Sequence, residues 1–200
     1  MVKERLLLLF VKNPVAGKVK TRLARTVGEA RALQVYKRLV HLTEKSAKRV
    51  DSARQVWYSS FIDQNDLFDE STFEKRLQVG DDLGERMRNA FSKSFEEGYR
   101  EVVIIGSDCP DLNSDIIEQA FDELEKSDVV IGPSADGGYY LLGMNTFIDE
   151  IFEGVQWSSS EVLSQTKEKL NRSGYAFKEL QVLNDIDTED DLNNSTLDYV

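Results

Sequence analysis

The stretch VVIIGSDCPDL, residues 102–112, decides the fold. Val102, Val103, Ile104 and Ile105 form an unbroken β-branched run, the pattern of a central parallel strand covered on both faces. Gly106 ends the run, and Ser107, Asp108, Cys109, Pro110 and Asp111 follow at once. In an open α/β sheet, ligands bind beyond the carboxyl ends of the strands. An aspartate just past such a strand, held by a proline, therefore stands where a metal ion or phosphate would sit.

Outward from this strand, strands and helices alternate. Residues 6–11 (LLLLFV) read as a first buried strand that breaks at Asn13-Pro14 into the loop NPVAGKVKTRL. Leu33, Tyr36, Leu39, Val40, Thr43, Ala47 and Val50 recur at helical spacing and predict a helix over residues 29–50. Residues 55–59 and 76–79 predict strands, with a polar loop or short helix between them. GDDLGERM then opens a helix carrying Met87, Ala90, Phe91, Ser94 and Phe95, stopped by Gly98. Beyond the central strand, Asn113 or Ser114 is expected to cap a helix with Ile116, Ile117, Ala120, Phe121 and Leu124 inward. Residues 129–132, 139–142 and 175–183 predict three more strands. Ser158 with Glu161 fits a capping box for a helix ending near Gly174, and Thr188 caps a short last helix. The expectation is one domain over residues 1–200, an α/β three-layer α/β/α sandwich around a mostly parallel mixed sheet.

The chain has 200 residues, 40% hydrophobic and 30% charged, enough for a full core. A net charge of −11 argues against nucleic acid as a partner, though it leaves room for a local basic loop. One cysteine excludes an intrachain disulfide. The apolar run after Lys3 and Arg5 is too short for a signal-peptide core, and no stretch is long enough for a membrane span. A cytoplasmic protein is expected.

Three segments carry chemistry. In the loop after the first strand, Lys18, Lys20 and Arg22 place three cations within five residues beside Gly17, a composition that suits a polyphosphate. It is not a Walker loop, which needs a glycine where Lys12 stands and a hydroxyl residue where Val19 stands. A solvated basic turn has the same composition. The second segment holds Asp108 and Asp111. One or two carboxylates plus substrate phosphates usually hold Mg²⁺, so Asp108 is a reasonable ligand, whereas Asp111 is expected to cap the following helix. Cys109 reads as a packing residue, and His41, the only histidine, lies mid-helix. The third segment is NDIDT, residues 184–188, where Asp185 and Asp187 point to one side of an extended chain and offer a second carboxylate. Acid at a helix N-terminus explains the same residues. Asp82 and Gly84 in GDDLGER are candidate nucleotide contacts, and the segment is also a plain turn into a helix. Gly137, Gly138 and Tyr139 are candidate substrate contacts, with Asp136 a candidate general base, although Asp-Gly-Gly is also a favoured tight turn. Trp157 is a candidate stacking residue or a core filler.

With these segments laid out, FVKNPVAGKVKTRL, GDDLGERM, GSDCPDL, PSADGGYYLLG, WSS and NDIDTEDDL resemble, in order, the bacterial nucleotide-diphospho-sugar transferase-like family, often labelled glycosyltransferase. The resemblance spans nearly the whole chain and implies the GT-A fold. The chain also looks like a cousin of phospholactate guanylyltransferase and the molybdenum-cofactor nucleotidyltransferases. It implies that Lys18, Lys20 and Arg22 contact nucleotide phosphates, that Asp108 holds Mg²⁺ (or Mn²⁺), and that Asp187 or Asp185 supplies a second carboxylate. Lys12 and Gly17 complete the candidate nucleotide-binding set, and Lys20 is also a candidate catalytic cation. The chain departs from its cousins in having Asp136-Gly137-Gly138-Tyr139-Tyr140 at the acceptor position, and no Asp-x-Asp motif adjoins the central strand.

Two reactions follow. A glycosyltransferase would use a nucleotide-sugar and a small-molecule acceptor and release nucleoside diphosphate. A nucleotidyltransferase would join a nucleoside triphosphate to a phosphorylated acceptor and release pyrophosphate. The family label favours the first, and the concentration of cations favours the second. A nucleotide-binding module without turnover is a third reading, and the retained acidic residues argue against it.

Overall fold

The computed structural model describes residues 3–197. Its sheet is built outward from β1 (Lys3–Val11), which pairs in parallel with β2 (Ala53–Tyr58) on one side and β4 (Tyr99–Ile105) on the other. With a strand on each edge and helices on each face, Leu6, Leu7, Leu8 and Leu9 are fully buried. Side chains alternate between the faces with the period of two that a strand imposes. Leu7, Leu9, Val103 and Ile105 pack against Tyr36 and Val40 of α2 (Glu29–Ala47) and Ile117 and Phe121 of α4 (Ser114–Leu124). Leu6, Leu8, Val102 and Ile104 pack on the other face against Met87 and Phe91 of α3 (Leu83–Glu96) and Leu170 of α5 (Val162–Ser173). Truncating any of these leucines to alanine would cost about 2–5 kcal/mol, because neighbours on both faces prevent the site from collapsing.

Among the described residues the sheet has seven strands in the order β3-β2-β1-β4-β6-β5-β7. β3 (Glu74–Leu77) and β7 (Phe177–Glu179) form the edges, parallel to β2 and β5 (Val129–Pro133) respectively. Only β6 (Tyr139–Met144) runs antiparallel, between β4 and β5, and it is reached from β5 by the tight turn 134–138. The expected three-layer arrangement around a mostly parallel mixed sheet is therefore what forms. A third apolar cluster joins α1 (Thr21–Val27) to α2 and α6 (Glu189–Asn193) through Leu23, Val35, Leu39, Ile186, Leu192 and Leu197. Among the described residues, no helix is long and apolar enough to cross a membrane.

Local differences from the sequence reading have local causes. β3 lies two residues earlier than expected, because an edge strand without alternating burial carries no strong register signal. The last strand shrinks to Phe177–Glu179, although Leu180 N still donates to Ile131 O and Leu183 N to Pro133 O. Pro133 has no N–H to return, and β5 shifts register there against β6. No Ser158–Glu161 capping box forms. Ser158 takes a positive φ of 63°, and the N–H of Leu163 in the first turn of α5 is satisfied instead by Gly137 O at 2.9 Å. Asp111 does not cap α4. Asn113 does, accepting from the N–H groups of Asp115 and Ile116, while Asp111 accepts from Thr196 Oγ1 at 2.9 Å.

Candidate active site

The chain leaves β1 toward β2 and β3 on one side of the sheet, and leaves β4 toward β5, β6 and β7 on the other. The carboxyl ends of β1 and β4 thus flank the point where strand order reverses, the place where α/β sheets open a crevice. The loop after β1 and the GSD segment after β4 both emerge there. Two buried side chains fix them. Asn13 reaches across to the end of β2, donating to Phe61 O at 2.8 Å and accepting from Ser60 N at 3.0 Å. Tyr36, from the inner face of α2, accepts from Lys12 N at 2.7 Å, donates to Lys12 O at 2.9 Å and meets Ser107 Oγ at 3.3 Å. Burial, eased by the Ser107 contact, holds this phenol protonated far above neutral pH.

Around this frame the structure gathers charges from three distant segments. Lys20 caps α1 in the left-handed backbone region, φ 46° and ψ 45°, which turns its side chain inward. The side chain is 3% exposed, with Nζ 2.6 Å from Asp108 Oδ1 and 3.1 Å from Asp187 Oδ1. Burial pulls the pKa of this ammonium down, but the Asp108 and Asp187 carboxylates together outweigh it and raise it. Arg22, on the outside, reaches Asp187 Oδ2 at 3.4 Å. The 184–188 segment is tied to the central loop by Ile186 N donating to Asp108 O at 3.0 Å. Its other carboxylate, Asp185, accepts from Ser134 Oγ at 2.9 Å. Burial first, and then the neighbouring Asp108 charge, push Asp185 up to about 7.

Of the residues singled out in the sequence, Asp108, Asp185, Asp187 and Lys20 are thus brought together. Lys12 and Lys18 are on the same loop and exposed, and Gly17 gives that loop a positive φ of 73°. Asp82 caps α3, accepting from Glu85 N at 2.9 Å. Gly84 and Trp157 meet each other. A Cβ on Gly84 would lie 2.0 Å from the indole, which is stacked on Phe152 at 6.3 Å. Asp136 closes its own turn by accepting from Gly138 N at 2.9 Å, and its charge adds to the field on Asp185. Gly137, at φ 91°, has Ser160 O where a Cβ would be, 2.1 Å away, so only glycine lets the turn dock against the start of α5. Tyr139 packs in the core layer on the α3 and α5 side. Cys109 is buried, and burial with nearby Asp185 pushes its thiol up to about 12, which suits packing rather than nucleophilic chemistry.

Tyr36, Asn13 and Ser134 were not singled out as functional in the sequence. A tyrosine on the apolar face of a helix must find a partner for its hydroxyl, and that requirement was the available signal for Tyr36. Nothing local marks Asn13 or Ser134, whose partners lie 48 and 51 residues away.

Among the described residues, no cluster of three or more His, Cys, Asp or Glu side chains is arranged as a metal cage. Mg²⁺ does not require one, since it keeps waters and uses one or two carboxylates plus substrate phosphates. The donor set suits such an ion. Three carboxylates face one buried ammonium and one exposed guanidinium, and Asp185 is left with a hydroxyl as its only hydrogen-bond partner among the described residues.

Comparison with known proteins follows the same lines. A family model described as "Uncharacterized protein conserved in bacteria (DUF2064)" matches residues 42–159. A solved protein from Desulfovibrio desulfuricans G20, bearing the name of a nucleotide-diphospho-sugar transferase, is 35% identical, with a TM-score of 0.87 over 96% of this chain and 89% of its own. CMP:2-keto-3-deoxy-manno-octonic acid synthetase complexed with CTP shares the fold at 11% identity, with a TM-score of 0.58 over 95% of each chain. Rv0371C from Mycobacterium tuberculosis H37Rv, solved in complex with manganese, does so at 15% identity, with a TM-score of 0.50 over 96% of each chain. No curated protein matches the sequence. The chain therefore belongs to this bacterial family, and it is a transferase of the nucleotide-diphospho-sugar transferase-like kind.

Proposed function

We infer that the protein is a divalent-metal-dependent transferase acting on a nucleotide-activated substrate, of the nucleotide-diphospho-sugar type. The observation that carries this reading is the meeting of Lys20, Asp108, Asp185 and Asp187 at the β1/β4 crevice, directly beside a basic loop. The 35% identity to a protein named for that chemistry supports it. So do distant relatives of the same fold that bind CTP or manganese. Asp108 and Asp185 are the better metal pair, because Asp187 already has two cations on its oxygens. When bound there, Mg²⁺ would neutralise diphosphate charge and ease departure of the leaving group. Lys12 and Lys18, exposed on the loop, and Arg22, exposed in the first turn of α1, would bind the phosphates and absorb the charge developing on them. Asp136, exposed at the turn beside Asp185, would take the proton of an acceptor hydroxyl.

A second reading, nucleotidyl transfer with pyrophosphate release, is favoured by two features. Lys12, Lys18, Lys20 and Arg22 bring more positive charge than a sugar diphosphate requires, and no Asp-x-Asp motif follows β4. Incubation with Mg²⁺, a panel of nucleotide-sugars and nucleoside triphosphates, and mixed acceptors separates the two. Nucleoside diphosphate release supports the first reading and pyrophosphate release the second. Asp108→Asn should remove either activity by about 100-fold or more, as losing a group that stabilises transition-state charge does. Turnover unchanged in that variant would sink the assignment.

A further inference from the structure

Lys20 is placed differently from the cations on either side of it. Lys12, Lys18 and Arg22 are exposed, whereas the Lys20 side chain is 3% exposed and lies behind two carboxylates that are each 40% exposed. A phosphate reaches this ammonium only if the side chain moves outward. The backbone cannot follow, because Val19 and Leu23 on either side are buried and Lys20 O accepts from Ala24 N at 2.8 Å. The four-carbon side chain can redirect on that fixed base. The two partners are not equivalent. Asp187 retains Arg22 if Lys20 turns away, but among the described residues Asp108 has no other ion-pair partner.

We propose that Lys20 is an exchangeable counter-ion, neutralising Asp108 until a divalent metal takes that carboxylate and then passing to a polyphosphate. This rests on the metal and nucleotide reading above and extends it to the order of events. A metal arriving alone must compete with a buried ammonium 2.6 Å from its ligand oxygen. A polyphosphate arriving alone must break that same charge-assisted hydrogen bond. Each ligand removes the obstacle to the other, so the two bind with positive coupling, and linkage makes the coupling equal in both directions. Asp187, with Arg22 on its second oxygen, keeps a counter-ion when Lys20 moves. The acidic site therefore stays closed to free metal and opens to metal and polyphosphate together.

The test is Mn²⁺ binding followed by electron paramagnetic resonance and calorimetry, with and without inorganic pyrophosphate, on the whole chain and on Lys20→Met. Without pyrophosphate, Lys20→Met should bind Mn²⁺ about ten-fold more tightly than the natural chain, the size of a typical coupling between sites. Pyrophosphate should strengthen Mn²⁺ binding by the natural chain by a larger factor than it does in Lys20→Met, and an equal factor in both would overturn the exchange. Equal or weaker Mn²⁺ binding by Lys20→Met, in a sample with native circular dichroism, overturns the exchange while leaving the metal site standing. Should Lys20→Met not fold, Lys20→Gln removes the charge and keeps hydrogen-bonding capacity, with the same two outcomes. Absence of Mn²⁺ binding in every variant, with or without pyrophosphate, overturns the metal reading and the exchange together.

Discussion

Gly84→Ala sets two known effects against each other at a single atom. Gly84 lies in the first turn of α3, where alanine is the better helix former by up to about 1 kcal/mol. On propensity alone the substitution stabilises. The added methyl, however, would stand 2.0 Å from Cε2 and Nε1 of Trp157, well inside contact distance. The indole also packs on Phe152 at an interplanar angle of 24°, which limits where it can move. Overpacking of this kind costs about 1–3 kcal/mol, and more when the displaced group is rigid. The clash therefore outweighs the propensity, and Gly84→Ala should be less stable by about 1–2 kcal/mol, a fall of roughly 2–4 °C in melting temperature per kcal/mol for a chain of this size. Urea denaturation of the single variants and of Gly84→Ala with Trp157→Ala gives the full cycle. Once the indole is gone, the methyl should become neutral or stabilising, a coupling of about 1–3 kcal/mol between the two positions. A Gly84→Ala protein as stable as the natural one would refute the packing and return Trp157 to the pool of free stacking residues.

Three further outcomes are expected. Asp185→Asn should stabilise the fold in metal-free buffer, because moving a carboxyl from 3.8 to about 7 penalises its charged form by at most about 4 kcal/mol, trimmed by solvent access to about 2 kcal/mol. The folded value is raised, so the penalty is absent below about pH 3.8 and complete above about 7; the gain should appear at pH 8 and vanish near pH 4 in urea titrations. Cys109 should resist thiol reagents at pH 7 in the native protein and react fully in denaturant, and rapid native labelling would contradict its burial. Asp136→Asn should lower turnover by about 100-fold or more with nucleotide affinity unchanged, whereas an equal loss of affinity would assign Asp136 to its turn alone.

The sheet was readable in the sequence because its signals are local. Unbroken β-branched or leucine runs mark strands buried on both faces, and the apolar spacing of α2 and α4 marks their inward sides. The β1 and β4 loops were readable as chemistry for the same reason, since each puts its ionisable residues immediately after a strand. What the sequence did not carry was which charges pair. The inward turn of Lys20 depends on a left-handed backbone at a non-glycine residue, which composition does not signal. The difference between Asp185 and Asp187 depends on partners in the turn 134–138 and the α1 segment, far away in the chain. The same holds for the start of α5, whose free N–H is met by Gly137 rather than by a residue of its own first turn.

The third apolar cluster has a further meaning for how this protein is made. Residues 186, 192 and 197 pack on α1 and α2, and Lys20 finds Asp187 across 167 positions of chain. Contacts of such long sequence separation require closing a large loop and form late in folding. A chain emerging from the ribosome can assemble β1, α2, β2 and β4 before residues 184–197 exist, but it cannot yet assemble the acidic side of the crevice. Until then, the apolar faces of α1 and α2 wait for their cover and are open to self-association. Completion of the crevice thus coincides with covering of this apolar surface, because the same C-terminal residues supply both.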